Sequence, residues 1–351
     1  MKHPPSSICI LRLSAIGDVT HMIPVVRTIQ KHWPDTKLTW IIGKKEAKLV
    51  DDIADINFVI FDKSKTIASY RSIAKAMKNQ IFDVLICAQV SFRANLISTL
   101  IPAKLKLGYD KTRSKDLHTL FTGESIAAAS KQHVLDSFFS FIEYLGINER
   151  QLAWDYVIPK EAYDFAEQHI DKKRLNVIIS PCSSHPKRNW RNDRYAAVAD
   201  YAVESLNAHV ILCGGPSAIE QKTGEEIEYL MHTKVTNLIG KDNLKKFLAL
   251  IKHADVIITP DSGPAHMAAG LETPVLGLYA ASNYKRSGPY LSQEWCIDKY
   301  DEASKKFKNK SANELKWGTK LEYDGVMDLI SVEDVTNKLE QLSKQITKGN
   351  S

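Results

Sequence analysis

The chain has 351 residues, enough for roughly two domains of ordinary size with sizeable cores. Hydrophobic residues make up 44% and charged residues 25%, which excludes a disordered or collagenous chain. The formal net charge is +6, and residues 1–150 carry +7 while the remainder carries −1. A basic half beside a near-neutral half fits a first domain that handles something anionic, and it also fits a plain lysine-rich surface. No basic–aromatic interleaved segment stands out, so nucleic acid is not an expected partner. The five cysteines (Cys9, Cys87, Cys182, Cys213 and Cys296) are odd in number and far apart, with no C-x-x-C pair. They read as free thiols in a reducing compartment.

No apolar run approaches the ~20 residues that span a bilayer, and the run Ile8–Leu11 is too short for a signal-peptide core. The chain therefore reads as cytoplasmic, with any membrane contact peripheral. Short apolar runs then alternate with amphipathic stretches. Ile8–Leu13, Leu38–Ile42, Phe58–Phe61, Val84–Cys87 and Leu105–Tyr109 read as strands, and Val19–His32, Ser69–Asn79 and Val134–Leu145 as helices. The second half repeats the pattern. Val177–Ser180, Val210–Cys213, Val256–Thr259 and Val275–Tyr279 read as strands, and Arg194–Leu206, Ala218–His232 and Lys245–Lys252 as helices. Residues 301–311 read as a polar, lysine-rich loop. A last helix starts near Ser331, which has capping-box-like spacing to Asp334. The expected fold is α/β: two doubly wound, Rossmann-like domains over 1–158 and 159–330, facing across a cleft. Residues 331–351 form a terminal helix able to pack back on the first domain.

Three strand-to-helix turns carry the chemistry. The first is Leu11-Arg-Leu-Ser-Ala-Ile-Gly-Asp18, where a helix is expected to begin at about Asp18. Asp18 reads either as a helix N-cap alone or as an ionised carboxylate, favoured by the helix dipole, that takes a proton from a sugar hydroxyl. The turn lacks G-x-G-x-x-G, which argues against a nicotinamide cofactor. The second is Thr259-Pro-Asp-Ser-Gly-Pro-Ala-His266. Gly263 permits close approach and Pro264 suits a first helical turn. The N–H groups of Gly263, Ala265 and His266 are expected to converge on an anion such as a diphosphate. The His266 side chain adds a donor, and Asp261 orients a hydroxyl or the loop. A capped helix without a ligand is the alternative. The third is Ser180-Pro-Cys-Ser-Ser-His-Pro-Lys-Arg-Asn-Trp190, with hydroxyls at Ser183 and Ser184 and fixed charge at Lys187 and Arg188. It reads as a lip that neutralises a departing diphosphate, or as a basic surface loop. After Gly214-Gly215-Pro216, Glu220 is a candidate for ribose hydroxyls.

No G-x-x-x-x-G-K-[ST] phosphate loop, Asp-x-Asp clamp or zinc-type cluster is present.

Together the motifs Leu11–His21, Leu38-Thr-Trp-Ile-Ile-Gly43 and Asp261-Ser-Gly-Pro-Ala-His266 resemble glycosyltransferase family nine, the ADP-heptose:lipopolysaccharide heptosyltransferases, on its heptosyltransferase I side. The resemblance runs from about Ile8 to Tyr290. It implies a GT-B fold and an inverting transfer of heptose from ADP-heptose to a Kdo sugar of Kdo-lipid A at the cytoplasmic leaflet of the inner membrane. No cofactor and no obligatory metal are implied. The resemblance places the catalytic base on Asp18 and nucleotide-sugar contacts on Ser183, Ser184, Lys187 or Arg188, and Glu220. The diphosphate loop falls on Asp261, Ser262, Gly263, Pro264, Ala265 and His266. Lys63, Lys65, Arg93, Arg113 and Lys115 are candidates for gripping the anionic acceptor. The alternatives are another nucleotide-sugar enzyme on the same scaffold, such as a hexosamine or hexose transferase or a UDP-sugar 2-epimerase, or a non-catalytic module that binds a nucleotide sugar.

Overall fold

The computed structural model describes residues 3–349, which divide into two compact units with the boundary after Val157. The first unit runs β1 (Ser7–Leu11), α1 (Ile16–His32), β2 (Lys37–Gly43), α2 (Lys44–Val50), β3 (Ile56–Phe61), α3 (Thr66–Met77) and β4 (Phe82–Cys87). It continues with α4 (Phe92–Thr99), β5 (Ala103–Gly108), α5 (His118–Phe121), β6 (Glu124–Ser125) and α6 (Val134–Leu145). Its six strands form one sheet in the order β3-β2-β1-β4-β5-β6, parallel throughout. β1 lies near the middle and is buried on both faces. That is why it reads as an unbroken apolar run rather than an alternating one.

The second unit runs α7 (Lys160–Glu167), β7 (Asn176–Ile179), α8 (Asn192–Leu206), β8 (His209–Leu212), α9 (Ala218–Leu230), β9 (Thr236–Asn237) and α10 (Leu244–His253). Next come β10 (Val256–Pro260), α11 (Gly263–Gly270), β11 (Val275–Tyr279), α12 (Tyr284–Ser287), β12 (Ile297–Asp298), α13 (Tyr300–Lys308) and α14 (Val332–Gly349). Its sheet order is β12-β11-β10-β7-β8-β9, again all parallel. Val177, Ile179, Val256, Ile258 and Leu276 form its core with Trp190, Tyr195 and α14 residues such as Leu339. In both sheets every strand delivers its following turn to the same edge, the carboxyl end, where ligands of such folds bind.

Two expectations need correction. Residues 300–308 form helix α13, not a loop. Asp301 and Glu302 sit in its first turn and Lys305, Lys306 and Lys308 in its last, so the charges complement the helix dipole. Ala303 and Ser304 bury its inner face. The helix after β1 begins at Ile16 with Ala15 as N-cap, so Asp18 is its third residue rather than its cap. The terminal helix starts as expected: Ser331 and Asp334 exchange backbone-to-side-chain hydrogen bonds of 2.9 and 3.0 Å. Its described packing is against α8, β11 and β12 of the second unit. No described helix is long and apolar enough to cross a membrane.

Candidate active site

In the first unit, the turn after β1 is pinned from both sides. Trp40 Nε1 donates to the Arg12 carbonyl at 3.1 Å, and the Gly43 N–H donates to the Leu13 carbonyl at 3.0 Å. A Cβ on Gly43 would lie 2.4 Å from that same carbonyl oxygen, so only glycine lets β2 approach so closely. From the other side, Gln89 Oε1 accepts from Leu13 N at 2.7 Å and Ser14 N at 3.3 Å. The turn holds Asp18 by one oxygen. Asp18 Oδ2 pairs with the Arg12 guanidinium and accepts the Ala15 N–H at 3.2 Å. Arg12 is itself fixed by donating to the Ala88 carbonyl at 2.6 Å. Among the described residues nothing donates to Oδ1, and the side chain is 31% exposed. One anchored oxygen and one open oxygen is an arrangement suited to accepting a proton.

The acceptor candidates lie on turns at the same edge of this sheet. Lys63 and Lys65 follow β3, Arg93 opens α4 after β4, and Arg113 and Lys115 follow β5. Lys63, Lys65, Arg93 and Lys115 are exposed. Arg113 is instead consumed within the unit. It pairs with Asp110 and donates to Gln132 Oε1 and the Ala127 carbonyl, each at 2.6 Å, so it braces its own loop.

In the second unit, Ser262 caps α11 with extended backbone but no side-chain cap bond, because its hydroxyl meets Thr259 Oγ1 at 2.9 Å. With Ser262 as the cap, helix geometry leaves the amides of Ser262, Gly263 and Ala265 without intrahelical partners. His266 stands fourth in the helix, where that geometry joins its N–H to the cap carbonyl. Its amide therefore leaves the expected cluster, while its buried side chain stays beside Asp261. Asp261 is 7% exposed, accepts from Lys320 Nζ at 2.6 Å and lies 3.6 Å from Arg188 Nη1. Burial pushes its carboxyl up, but Lys320, His266 and a hydrogen bond from Ser282 outweigh that and hold it below the usual range. Burial draws the Lys320 ammonium below its ordinary value, against the pull of Asp261, and the charges of Arg188 and Arg286 add to the effect.

The basic pair of the third turn divides. Arg188 turns inward to Asp261 and donates to Glu322 Oε1 at 2.8 Å, whereas Lys187 pairs with the exposed Asp324. Ser183 is spent on its own loop, donating to the His185 carbonyl at 2.9 Å. Ser184 is exposed, and no described residue bonds its hydroxyl. Glu220 accepts from Gly215 N at 2.9 Å and Ser217 Oγ at 2.6 Å, so its described partners belong to its own turn. Near it, the Asp242 carboxyl is pushed up to about 7, chiefly by burial.

Lys320, Glu322 and Arg286 escaped the sequence reading. Lys320 is brought in because the Leu321 N–H donates to the Ala281 carbonyl at 2.8 Å and Leu321 is fully buried. No local motif marks it. Arg286 was findable, since it follows β11 at the ligand-binding edge.

The sequence profile of glycosyltransferase family 9 (heptosyltransferase) matches residues 70–317. The chain belongs to this family. It is 41% identical to a lipopolysaccharide core heptosyltransferase, OpsX, of Haemophilus influenzae, over 96% of this chain and 97% of that one. Among solved structures it is similar to a family 9 glycosyltransferase from Veillonella parvula, with a TM-score of 0.79, 23% identity and 97% of each chain covered. It is also similar to the Escherichia coli heptosyltransferase WaaC with ADP, with a TM-score of 0.68, 18% identity, and 83% of this chain and 92% of that one covered. This heptosyltransferase family member thus has the α/β GT-B architecture expected from its sequence, and it is a glycosyltransferase.

Proposed function

We propose that the enzyme transfers a heptose from ADP-heptose to a Kdo sugar of the lipopolysaccharide inner core, with inversion at the anomeric carbon. The near full-length likeness to a lipopolysaccharide core heptosyltransferase carries this reading. The similar E. coli heptosyltransferase WaaC was solved with ADP, which supports the nucleotide. Asp18 Oδ1 takes the proton of an acceptor hydroxyl. The hydroxyl oxygen bonds to the anomeric carbon as the bond from that carbon to the diphosphate oxygen breaks, and the electron pair leaves with ADP. The charge that develops on the leaving group is held by the open amides of Ser262, Gly263 and Ala265, with Arg188 and His266 as cationic or donor neighbours. Lys320 neutralises Asp261, so that the buried carboxylate does not repel the diphosphate. Ser184 offers its hydroxyl to the donor, and Glu220 holds ribose with lone pairs its turn leaves unused. Lys63, Lys65, Arg93 and Lys115 receive the carboxylates and phosphates of a Kdo-lipid A acceptor, with the enzyme working in the cytoplasm at the inner-membrane surface.

The test is a coupled ADP-release assay with ADP-heptose and a delipidated Kdo acceptor. ADP release that requires both substrates is expected. No ADP release with both substrates present would overturn this reading of donor and acceptor.

A further inference from the structure

We propose that the face formed by the start of α3, α4 and α5 is a docking surface for an anionic lipid bilayer. The inference deepens the proposed function, resting on its lipid-borne acceptor, but the surface is argued from the first unit itself. Five large apolar side chains stand in solvent there: Ile67, Phe92, Leu96, Leu117 and Leu120, each between 41% and 75% exposed. Single exposed apolar residues are ordinary, but five on touching segments are not.

The segments do touch. The Arg93 guanidinium lies 5.9 Å from the centre of the Phe61 ring, which brings the start of α4 to the end of β3, just before α3. Asn95 donates from its side-chain amide to the Asp116 carbonyl at 2.7 Å, and its Oδ1 meets His118 Nδ1 at 2.8 Å, which ties α4 to α5. On α4 the inner residues Ala94, Asn95, Ile97 and Ser98 are buried, while Phe92 and Leu96, one turn apart, are not.

Charge identifies the occupant. Between residues 63 and 109 the chain carries eight basic residues and one acidic one, Asp83. Asp83 stands at the start of β4, the far end of the strands from this face, and accepts from Lys104. Lys63, Lys65, Arg71 and Arg93 are exposed around the apolar residues. Asp62 is taken up by Lys44 and Ser64, and Asp116 adjoins Lys115 in the chain. Apolar side chains ringed by cations match the boundary between anionic headgroups and acyl chains, with the rings and branched chains inserted and the cations at phosphate level.

Co-sedimentation of the full chain with phosphatidylcholine vesicles, with and without phosphatidylglycerol, tests this. Binding to the phosphatidylglycerol vesicles that weakens with added salt is expected, with little binding to phosphatidylcholine alone. Ile67→Ser/Phe92→Ser/Leu120→Ser should lower the vesicle partition about tenfold or more. Arg71→Glu alone should lower it about fivefold. Tyr229→Ser, which alters an exposed ring on α9 of the other unit, should leave it unchanged. The triple variant should release ADP from the soluble, delipidated acceptor at the wild-type rate, which also shows that it is folded. A wild-type chain that ignores phosphatidylglycerol vesicles overturns the docking surface, as does a Tyr229→Ser loss equal to that of the triple variant. Absence of ADP release by the wild type would strike the proposed transfer from ADP-heptose to Kdo and leave the vesicle result standing.

Discussion

The turns after β1 and β10 share one local plan, a buried parallel strand running into a helix, yet they end in opposite electrostatic states. At α1 the chain supplies its own anion: the Asp18 carboxylate occupies the helix start by accepting the Ala15 N–H. At α11 the chain withholds one. The residue at its cap, Ser262, turns its hydroxyl to Thr259 and leaves the amides open. A helix start filled from within presents a base to a substrate, whereas one left empty receives a substrate's charge.

Breaking the first turn should have the largest effect. Asp18→Asn should cut turnover at least about a hundredfold, as expected for loss of a general base, with ADP affinity retained in calorimetry. Near-wild-type turnover would remove Asp18 from that role. Arg12→Gln should come next, lowering kcat by about ten- to a hundredfold through misplacement of the carboxylate, with the donor KM little changed. A positioning residue predicts that split, whereas general destabilisation would move the melting temperature instead.

Converting the second turn into the first sharpens the comparison. Ser262→Asp gives α11 an internal anion, so ADP affinity should fall about tenfold while the melting temperature holds or rises. Weaker binding accompanied by lower stability would count against an open anion site.

The smallest expected effect is on stability. The Asp242 carboxyl is pushed up to about 7 by burial, opposed by Lys246 and reinforced by Glu220. A carboxyl raised on folding binds its proton more tightly in the folded state, so stability is highest below the unfolded value and falls as pH climbs towards 7. Asp242→Asn should therefore melt about 3 °C above wild type near pH 8, with the gap closing towards pH 4.

The fold was legible because parallel strands buried on both faces leave continuous apolar runs, and Val256–Pro260 and Val275–Tyr279 are of this kind. The strand-to-helix turns of the candidate site were legible where their signal is local, as at Gly17-Asp18 and Asp261–His266. Helix register at Asp18 was not, since the N-cap is an alanine with no capping side chain and gives no signal. The choice between Lys187 and Arg188 needed the positions of Asp261, Glu322 and Asp324. Lys320 stands 59 residues from its partner, in a stretch without a motif. Helix α13 was hidden by its polarity, because its buried side is only small residues and one tyrosine.

The reach of Lys320 back to Asp261 has a bearing on biosynthesis. A carboxylate 7% exposed and stripped of its counter-cation is strongly destabilising, commonly by about 3–5 kcal/mol. A nascent chain still short of residue 320 therefore lacks the nearest cation to this acid and keeps only Arg188 and His266 beside it. The second unit should reach its full stability only after the ribosome has passed that lysine.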